Sequence, residues 1–493
     1  MFNLLNFTLM EYEIIDNDEK TLVLKYPELS EDEIIFKNII KDKAIKSFQD
    51  ISITSEKARE YVKNKILNLI VDKLQSNKHN LNIDVEDVEK IKFLAEIIMR
   101  EMYGYGLLDY LLEDDDLEEI MVIGVNLPVY VVHRKHGMLK TNIVYTDEKE
   151  IRNIIEKMAR SSGRWIDMAN PLLDSRLPDG SRLNATLSPP SLDGPTLTIR
   201  KFKKEALTIV DLINFRTLTS ELAAFLWIAV EGFGVKPSNI LIAGGTGSGK
   251  TTTLNCLCTF IPKRNRVITI EDTAELQLPV THKVRLETKL PSAEGKGGIT
   301  FNQLLINTLR MRPDRIILGE VRGEEAETLF VAMNTGHDGC MGTLHANTAQ
   351  ETIVRLTNPP MNVPVIMIPA LDLIIMQNRF YKEGKTLRRI TEVAEVAGLE
   401  MDRVLLNKIY EYDAKEDTIK STGTPPTLYQ KLAESTSLSK SDILKELERR
   451  KFVLEFLVYK NLRSLNDVYT WIQKYYKSPD ETFEEIEKML KSS

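Results

Sequence analysis

The chain has 493 residues, too many for one hydrophobic core, so two to four domains are expected. A formal net charge of −7 and an isoelectric point near 5.7 disfavour a dedicated nucleic-acid binder, which carries a basic face, while leaving room for a local basic groove. The three cysteines, Cys256, Cys258 and Cys340, include no CxxC pair, which argues against a disulfide framework or a zinc site and for reduced, mostly buried thiols in cytosol.

Met1–Met10 is apolar but lacks a basic leader and a small-residue cleavage site, so it is not read as a signal peptide; a short membrane-touching end is the alternative. Residues 1–95 read as a helical extension, with Glu56–Gln75 and Val85–Met102 as the helix candidates. Residues 96–200 read as an α+β domain. Gly104 and Gly106 break the second helix, and Glu113-Asp114-Asp115-Asp116 is an acidic turn. Glu119–Ile123 and Val129–His133 are β-rich runs, residues 149–162 a helix, and Asn184–Leu187 and Thr196–Arg200 short strands. Lys201–Thr208 is charged with no apolar face and fits a linker, assigned to 201–210, or an ordinary surface loop.

From residue 211 to 400 apolar strands alternate with helices. The strands fall at Ile240–Ala243, Arg266–Ile270, Arg315–Leu318 and Gly342–His345. The helices fall around Ser220–Val230, Lys250–Phe260, Phe301–Arg310 and Glu324–Thr335. This alternation predicts an α/β fold with a mostly parallel sheet covered on both faces. The longest apolar run, Met361–Met376, contains Pro364, Pro369 and Asp372. It is shorter than the ~20 residues of a membrane span and reads as a core segment. After a short strand at Arg389–Val393, residues 401–493 read as helical, with Ile443, Leu444, Leu447, Leu454, Leu457 and Val458 on one face.

Four elements carry chemistry. The first is Gly244-Gly245-Thr246-Gly247-Ser248-Gly249-Lys250-Thr251, followed by Thr252, which matches G-x-x-x-x-G-K-[ST] at every position. Its glycines let successive N–H groups face a phosphate chain, Lys250 reaches the β- and γ-phosphates, and the Thr251 hydroxyl suits Mg²⁺. In the second, Val267–Glu271 delivers Glu271 at a strand end, where a carboxylate orients water for in-line attack on a γ-phosphate. Asp272 and Glu275 follow it, with a helix N-cap as the alternative for Asp272. In the third, Arg315–Glu320 ends in Glu320, with Gly319 where an aspartate is usual, so Glu320 is expected to hold a metal's water shell indirectly. The fourth, Thr335–Asn347, contains His337 and His345, which sense a γ-phosphate or are structural. Arg176, Arg182 and Arg200, upstream, are either ordinary surface arginines or the cations that neutralise transition-state charge.

In this order, the boxes Gly-Gly-Thr-Gly-Ser-Gly-Lys-Thr, Ile-Glu-Asp-Thr-Ala-Glu-Leu, Leu-Gly-Glu-Val-Arg and Thr-Gly-His with Gly-Thr-Leu-His-Ala-Asn resemble the Walker A, Asp, Walker B and His boxes of the secretion ATPase superfamily. Upstream, Tyr105–Leu108, Leu117–Ile120, Val129–His133 and Leu177–Arg182 are similar too, and the resemblance covers residues 95–400. A four-cysteine insertion is absent and the 133–137 run and helical tail look like the archaeal branch, which drives archaella and pili. The resemblance implies a RecA-like P-loop ATPase domain behind a PAS-like α+β domain. It further implies cytosolic homohexameric rings with ATP between the two domains, phosphate-reaching roles for Arg176, Arg182 and Arg200, ATP and Mg²⁺ as cofactors, and a polytopic inner-membrane platform protein as partner. An acidic phospholipid surface is a further expected contact, and no nucleic acid is expected. The alternatives are a nucleic-acid translocase of the type IV secretion or conjugation kind, and a degenerate nucleotide-binding scaffold, against which the intact Lys250, Thr251, Glu271 and Glu320 argue.

Overall fold

The structure, a computed structural model, describes residues 11–16, 19–48, 56–75, 87–202, 206–289, 291, 296–382 and 385–491. Met1–Met10 and part of the expected linker lie outside the described residues. The chain divides into two compact units, Met1–Lys203 and Lys204–Ser493.

The first unit opens with strands β1 (Tyr12–Asp16) and β2 (Lys20–Leu24), then helices α1 (Glu31–Phe48), α2 (Glu56–Gln75), α3 (Val88–Tyr103) and α4 (Leu108–Glu113). Strands β3 (Leu117–Val122), β4 (Pro128–His133) and β5 (Gly137–Val144) precede α5 (Glu148–Ser161). The last strands are β6 (Leu172–Arg176), β7 (Arg182–Thr186) and β8 (Thr196–Arg200). Helices α1 to α3 share one core built on Phe36, Ile40, Val62, Ile66 and Ile98. The glycine break after α3 has a physical cause: a Cβ on Gly104 would lie 2.3 Å from Asp109 Oδ2, the oxygen that accepts the Tyr105 N–H at 2.9 Å.

The eight strands form one sheet in the order β1-β2-β5-β4-β3-β8-β7-β6. This corrects the reading of residues 1–95 as wholly helical. Thr21-Leu22-Val23-Leu24 buries Leu22 and Leu24 on alternate positions, the period of a strand. The strand is docked by parallel pairing of Leu22 with Thr141 and by the Asn142 amide, which bonds both the N–H and the carbonyl of Leu24 at 2.9 and 3.0 Å. A five-residue strand flanked by charge gives too little local signal to outweigh its helical surroundings.

The second unit begins with α6 (Ile209–Asn214) and α7 (Ser220–Glu231), then β9 (Ile240–Ala243), α8 (Lys250–Cys258), β10 (Val267–Glu271) and β11 (Lys283–Glu287). It continues through α9 (Phe301–Thr308), β12 (Arg315–Val321), α10 (Glu325–Asn334), β13 (Met341–Leu344) and α11 (Ala349–Thr357) to a long antiparallel meander. That meander is β14 (Leu373–Lys382), β15 (Lys385–Glu400), β16 (Arg403–Asp413) and β17 (Thr418–Ser421). Helices α12 (Thr427–Ser435), α13 (Lys440–Tyr459), α14 (Leu465–Lys477) and α15 (Pro479–Lys491) close the chain.

The nine strands run β11-β10-β12-β13-β9-β14-β15-β16-β17, parallel from β11 to β14 and antiparallel beyond. One strand, β13, separates β9 from β12, which is the RecA-like arrangement. Both faces are covered, and successive residues divide between them. Ile240 and Ile242 join the core shared with α7, α8 and the C-terminal helices, while Leu241 and Ala243 join the core shared with α9, α10 and α11. Every residue of α7 from Leu222 to Glu231 is buried, as for a helix sandwiched between a sheet and a second helical layer. Met361–Met376 is core only in part: Met361, Val363, Ile368 and the run from Leu371 to Met376 are buried, while Asn362, Pro364 and Ile366 are exposed.

Two further expectations are corrected. The short strand read at 389–393 is the middle of the sixteen-residue β15, and Arg403–Asp413 and Thr418–Ser421 are strands, so the helical region starts at Thr427. The meander residues are charged and polar on one face, and apolar positions alone do not reveal them. No helix follows Asp272, so it is not an N-cap; it accepts the Thr288 hydroxyl at 3.0 Å and pairs with Arg322 at 2.5 Å. None of the three cysteines forms a disulfide, and all three are buried. Among the described residues no helix is long and apolar enough to cross a membrane.

Candidate functional site

The strands β9, β10, β12 and β13 are parallel, so their C-terminal ends share one edge of the sheet, where α/β folds bind ligands. Four of the residues named from sequence meet there.

β9 runs directly into Gly244. A Cβ at this position would lie 2.0 Å from the Gln377 carbonyl oxygen, so the tight turn needs glycine. Gly247 and Gly249 hold φ of +71° and +96°, the left-handed region that glycine enters without strain. α8 then starts at Lys250, with Thr251 and Thr252 half-buried in its first turn. The Lys250 ammonium donates to the Gly244 and Gly245 carbonyls, both at 3.0 Å, and is only 7% exposed. Burial lowers its pKa, against which Glu320 acts. A desolvated cation resting on weak carbonyl acceptors is ready to exchange them for an anion.

Glu271 ends β10 and is 2% exposed. Its Oε1 accepts the backbone N–H groups of Glu275 and Leu276 at 2.8 and 2.9 Å, while Oε2 has no partner among the described residues. Burial raises the pKa to about 6, and the two N–H donors hold it from rising further. Gly319 on β12 has its reason here: a Cβ would stand 3.1 Å from Glu271 Cγ. An aspartate at this position would press on the Glu271 side chain, which would have to give by a few tenths of an ångström.

Glu320 and His345 lie on adjacent strand ends, with Glu320 Oε1 3.4 Å from His345 Nε2. Burial lowers the His345 pKa and Lys250 lowers it further, so the imidazole is neutral at neutral pH. His337, by contrast, precedes β13 and so belongs to the opposite edge of the sheet; its Nδ1 lies 3.3 Å from the Ala332 carbonyl, a structural contact. Among the described residues no three His, Cys, Asp or Glu side chains could hold a metal ion. Magnesium takes oxygen ligands, keeps several waters and shares substrate phosphates, and the Thr251 hydroxyl and Glu320 carboxylate are oxygen donors of that kind.

Arg176, Arg182 and Arg200 belong to the first unit. They are register partners across β6, β7 and β8, on the side of the sheet opposite the buried Leu173, Leu183 and Ile199. Glu119 of β3 continues the row beside Arg200. Arg176 donates through Nε to the Gly180 carbonyl at 3.1 Å, and Arg182 meets Asp174 at 3.2 Å. Three arginines side by side on adjacent strands concentrate positive charge on one face of the sheet, beside Asp174 and Glu119.

Gln377 and Arg388 were missed from sequence. Gln377 Nε2 donates to the Ser248 carbonyl at 2.9 Å and Arg388 Nε to the Gly247 carbonyl at 3.0 Å. Each lies well over a hundred positions from the loop it touches, and no local pattern marks either.

The family model for type II/IV secretion system proteins matches residues 111–468. An uncharacterized protein of Methanocaldococcus jannaschii is 34% identical across 96% of this chain and 88% of its own length. The conjugal transfer protein TrbB of Rhizobium radiobacter is 32% identical across 58% of this chain and 86% of its own. Among solved structures, the VirB11 ATPase of the Brucella suis type IV secretion system is 27% identical over 58% of this chain and 91% of that one, with a TM-score of 0.30. With the family model spanning most of the chain and a relative matched nearly end to end, the protein is a member of the type II/IV secretion system protein family.

Proposed function

We propose that the chain is an ATP hydrolase that couples hydrolysis to mechanical work. The observation carrying this reading is the pairing, on one sheet edge, of a glycine-rich loop and its lysine with a buried carboxylate whose second oxygen has no partner among the described residues. The loop N–H groups and Lys250 bind the β- and γ-phosphates, and Lys250 leaves the Gly244 and Gly245 carbonyls to do so. Ionised Glu271 accepts the proton of the attacking water through Oε2. Neutral His345 donates a hydrogen bond to the γ-phosphate, and the arginine row neutralises transition-state charge. Magnesium, when bound, adds charge neutralisation of the phosphates, with Thr251 and, through water, Glu320 to hold it. His345→Ala is expected to lower kcat about ten- to a hundredfold, the worth of one hydrogen bond to a charged group. Wild-type turnover in that variant would remove His345 from the mechanism.

On this reading the working form is a cytoplasmic homohexamer, peripherally associated with the membrane. There it drives a polytopic platform protein that moves the subunits of a type IV filament, archaellum or pilus, or of a secretion machine. Purified protein should then show ATPase activity that rises with vesicles of acidic phospholipid and not with single-stranded DNA. A second reading, a nucleic-acid translocase of the conjugation kind, is favoured by the TrbB relative, and stimulation by DNA alone would select it. Arg182→Ala doped into wild-type rings is expected to depress ATPase activity more than in proportion to its share. If ATPase were unchanged in Ala variants of Arg176, Arg182 and Arg200, the proposed role of the row would be wrong.

A further inference from the structure

Like charges directly opposite one another on neighbouring strands are unfavourable, and proteins normally place a carboxylate nearby. The β14–β15 hairpin does so on one face only. Arg389 is held by Asp417, with two contacts of 2.8 Å. On the other face Arg379 stands directly opposite Arg388, and neither pairs with a carboxylate among the described residues. Gln377 is two positions before Arg379 and therefore shares its face.

All three converge on the phosphate-binding loop. Gln377 and Arg388 donate to the carbonyls of Ser248 and Gly247, and the Gln377 backbone closes on Gly244. Arg388 Cδ lies 3.3 Å from where a Cβ of Gly249 would be, and Arg379 Nη1 2.9 Å from that position at Gly247. The Arg379 side chain makes no hydrogen bond or ion pair among the described residues and is exposed. When the N–H groups of such a loop point at phosphate, its carbonyls point away. Donors on those carbonyls hold the peptide planes in orientation and polarise the N–H groups.

We propose that the β14–β15 hairpin is an outer wall of the nucleotide site, in which Gln377 and Arg388 position the phosphate-binding loop and Arg379 adds a cation for the polyphosphate chain. The proposal rests on reading Gly244–Thr251 as an ATP site. It accounts for the two arginines that face each other here without a carboxylate among the described residues: the counter-charge is the nucleotide's.

The test uses the full chain with ATP, ADP and AMP as probes, calorimetric affinities, steady-state kinetics and the ligand-free melting temperature. Arg379→Ala and Arg388→Ala are each expected to weaken ATP about tenfold. KM should rise in proportion, kcat should change less, and the loss should grow from AMP through ADP to ATP. Both side chains are exposed, so the ligand-free melting temperature should not move. Arg388→Lys should regain much of the affinity, because an ammonium also donates to the Gly247 carbonyl. Wild-type affinities in both alanine variants, alongside lost binding in Lys250→Ala, would overturn the hairpin's role while leaving the ATP site standing. Equal weakening of all three nucleotides with a lowered melting temperature would make the hairpin a structural contact and also overturn it. Failure of the wild-type chain to bind ATP would remove the site and the wall together.

Discussion

Glu271→Gln should bind ATP with wild-type affinity and hydrolyse it about 10²- to 10⁴-fold more slowly, the usual contribution of a positioned base. The amide is isosteric, and its oxygen can still accept the Glu275 and Leu276 N–H groups, so the β10 end keeps its shape. What it loses is the ability of Oε2 to take a proton. With the pKa raised to about 6 by burial, kcat/KM of the wild type should rise with pH through about 6 and level off above. A profile flat from pH 5 to 8, or normal turnover in the amide variant, would assign proton acceptance elsewhere. Stability gives an independent readout. An acid whose folded pKa lies above its ordinary 4.5 loses stability for the fold as pH rises from about 4.5 to about 6, and the loss is complete above. A shift of that size is worth about 2 kcal/mol. The amide variant should therefore melt higher than wild type at pH 8, and the gap should close below pH 4.5.

Lys250→Ala should abolish measurable turnover and weaken ATP binding about a hundredfold, roughly 3 kcal/mol for a charge-assisted contact to phosphate. Its fold should survive. The ammonium is bound to two loop carbonyls, and removing a desolvated cation relieves a cost as well as losing two bonds. Retained ATP affinity, measured by calorimetry with the melting temperature unchanged, would mean that the phosphates are held elsewhere.

The reach of sequence reading can be argued residue by residue. Gly244–Thr251 is legible because its chemistry lies in eight consecutive positions, each constrained by the backbone path or the phosphate. Glu271 and Glu320 are legible because an apolar run ending in a carboxylate has only one place to go in a parallel sheet: the common C-terminal edge. His345 and His337 look alike in sequence, and only their position at opposite edges of the sheet separates them. Asp272 resembled an N-cap, yet the chain after it forms no helix and its carboxylate serves Thr288 and Arg322.

The residues that sequence reading missed act across long separations. Gln377 and Arg388 reach the loop because β14 pairs with β9, a parallel contact between strands far apart in the chain. The arginine row was named from sequence as three separate candidates; its adjacency comes from the β6–β7 and β7–β8 registers, and a one-residue slip would send Arg182 to the core face. Strands β1 and β2 and the β15–β17 meander follow the same rule: short or polar strands are specified by partners more than by their own residues.

The sequence by itself determined the glycine-rich loop, the alternation of buried strands and helices around it, and the carboxylates and histidine delivered at strand ends, because each is written in local spacing and in the two-residue period of a strand. The tertiary structure alone decided that Gly319 stands against the Glu271 side chain, that His345 rather than His337 meets Glu320, that three arginines stand in one row, and that a distant hairpin grips the loop's carbonyls. These depend on which strands pair and in what register. That choice minimises the free energy of the whole sheet and leaves no mark in any single stretch of chain.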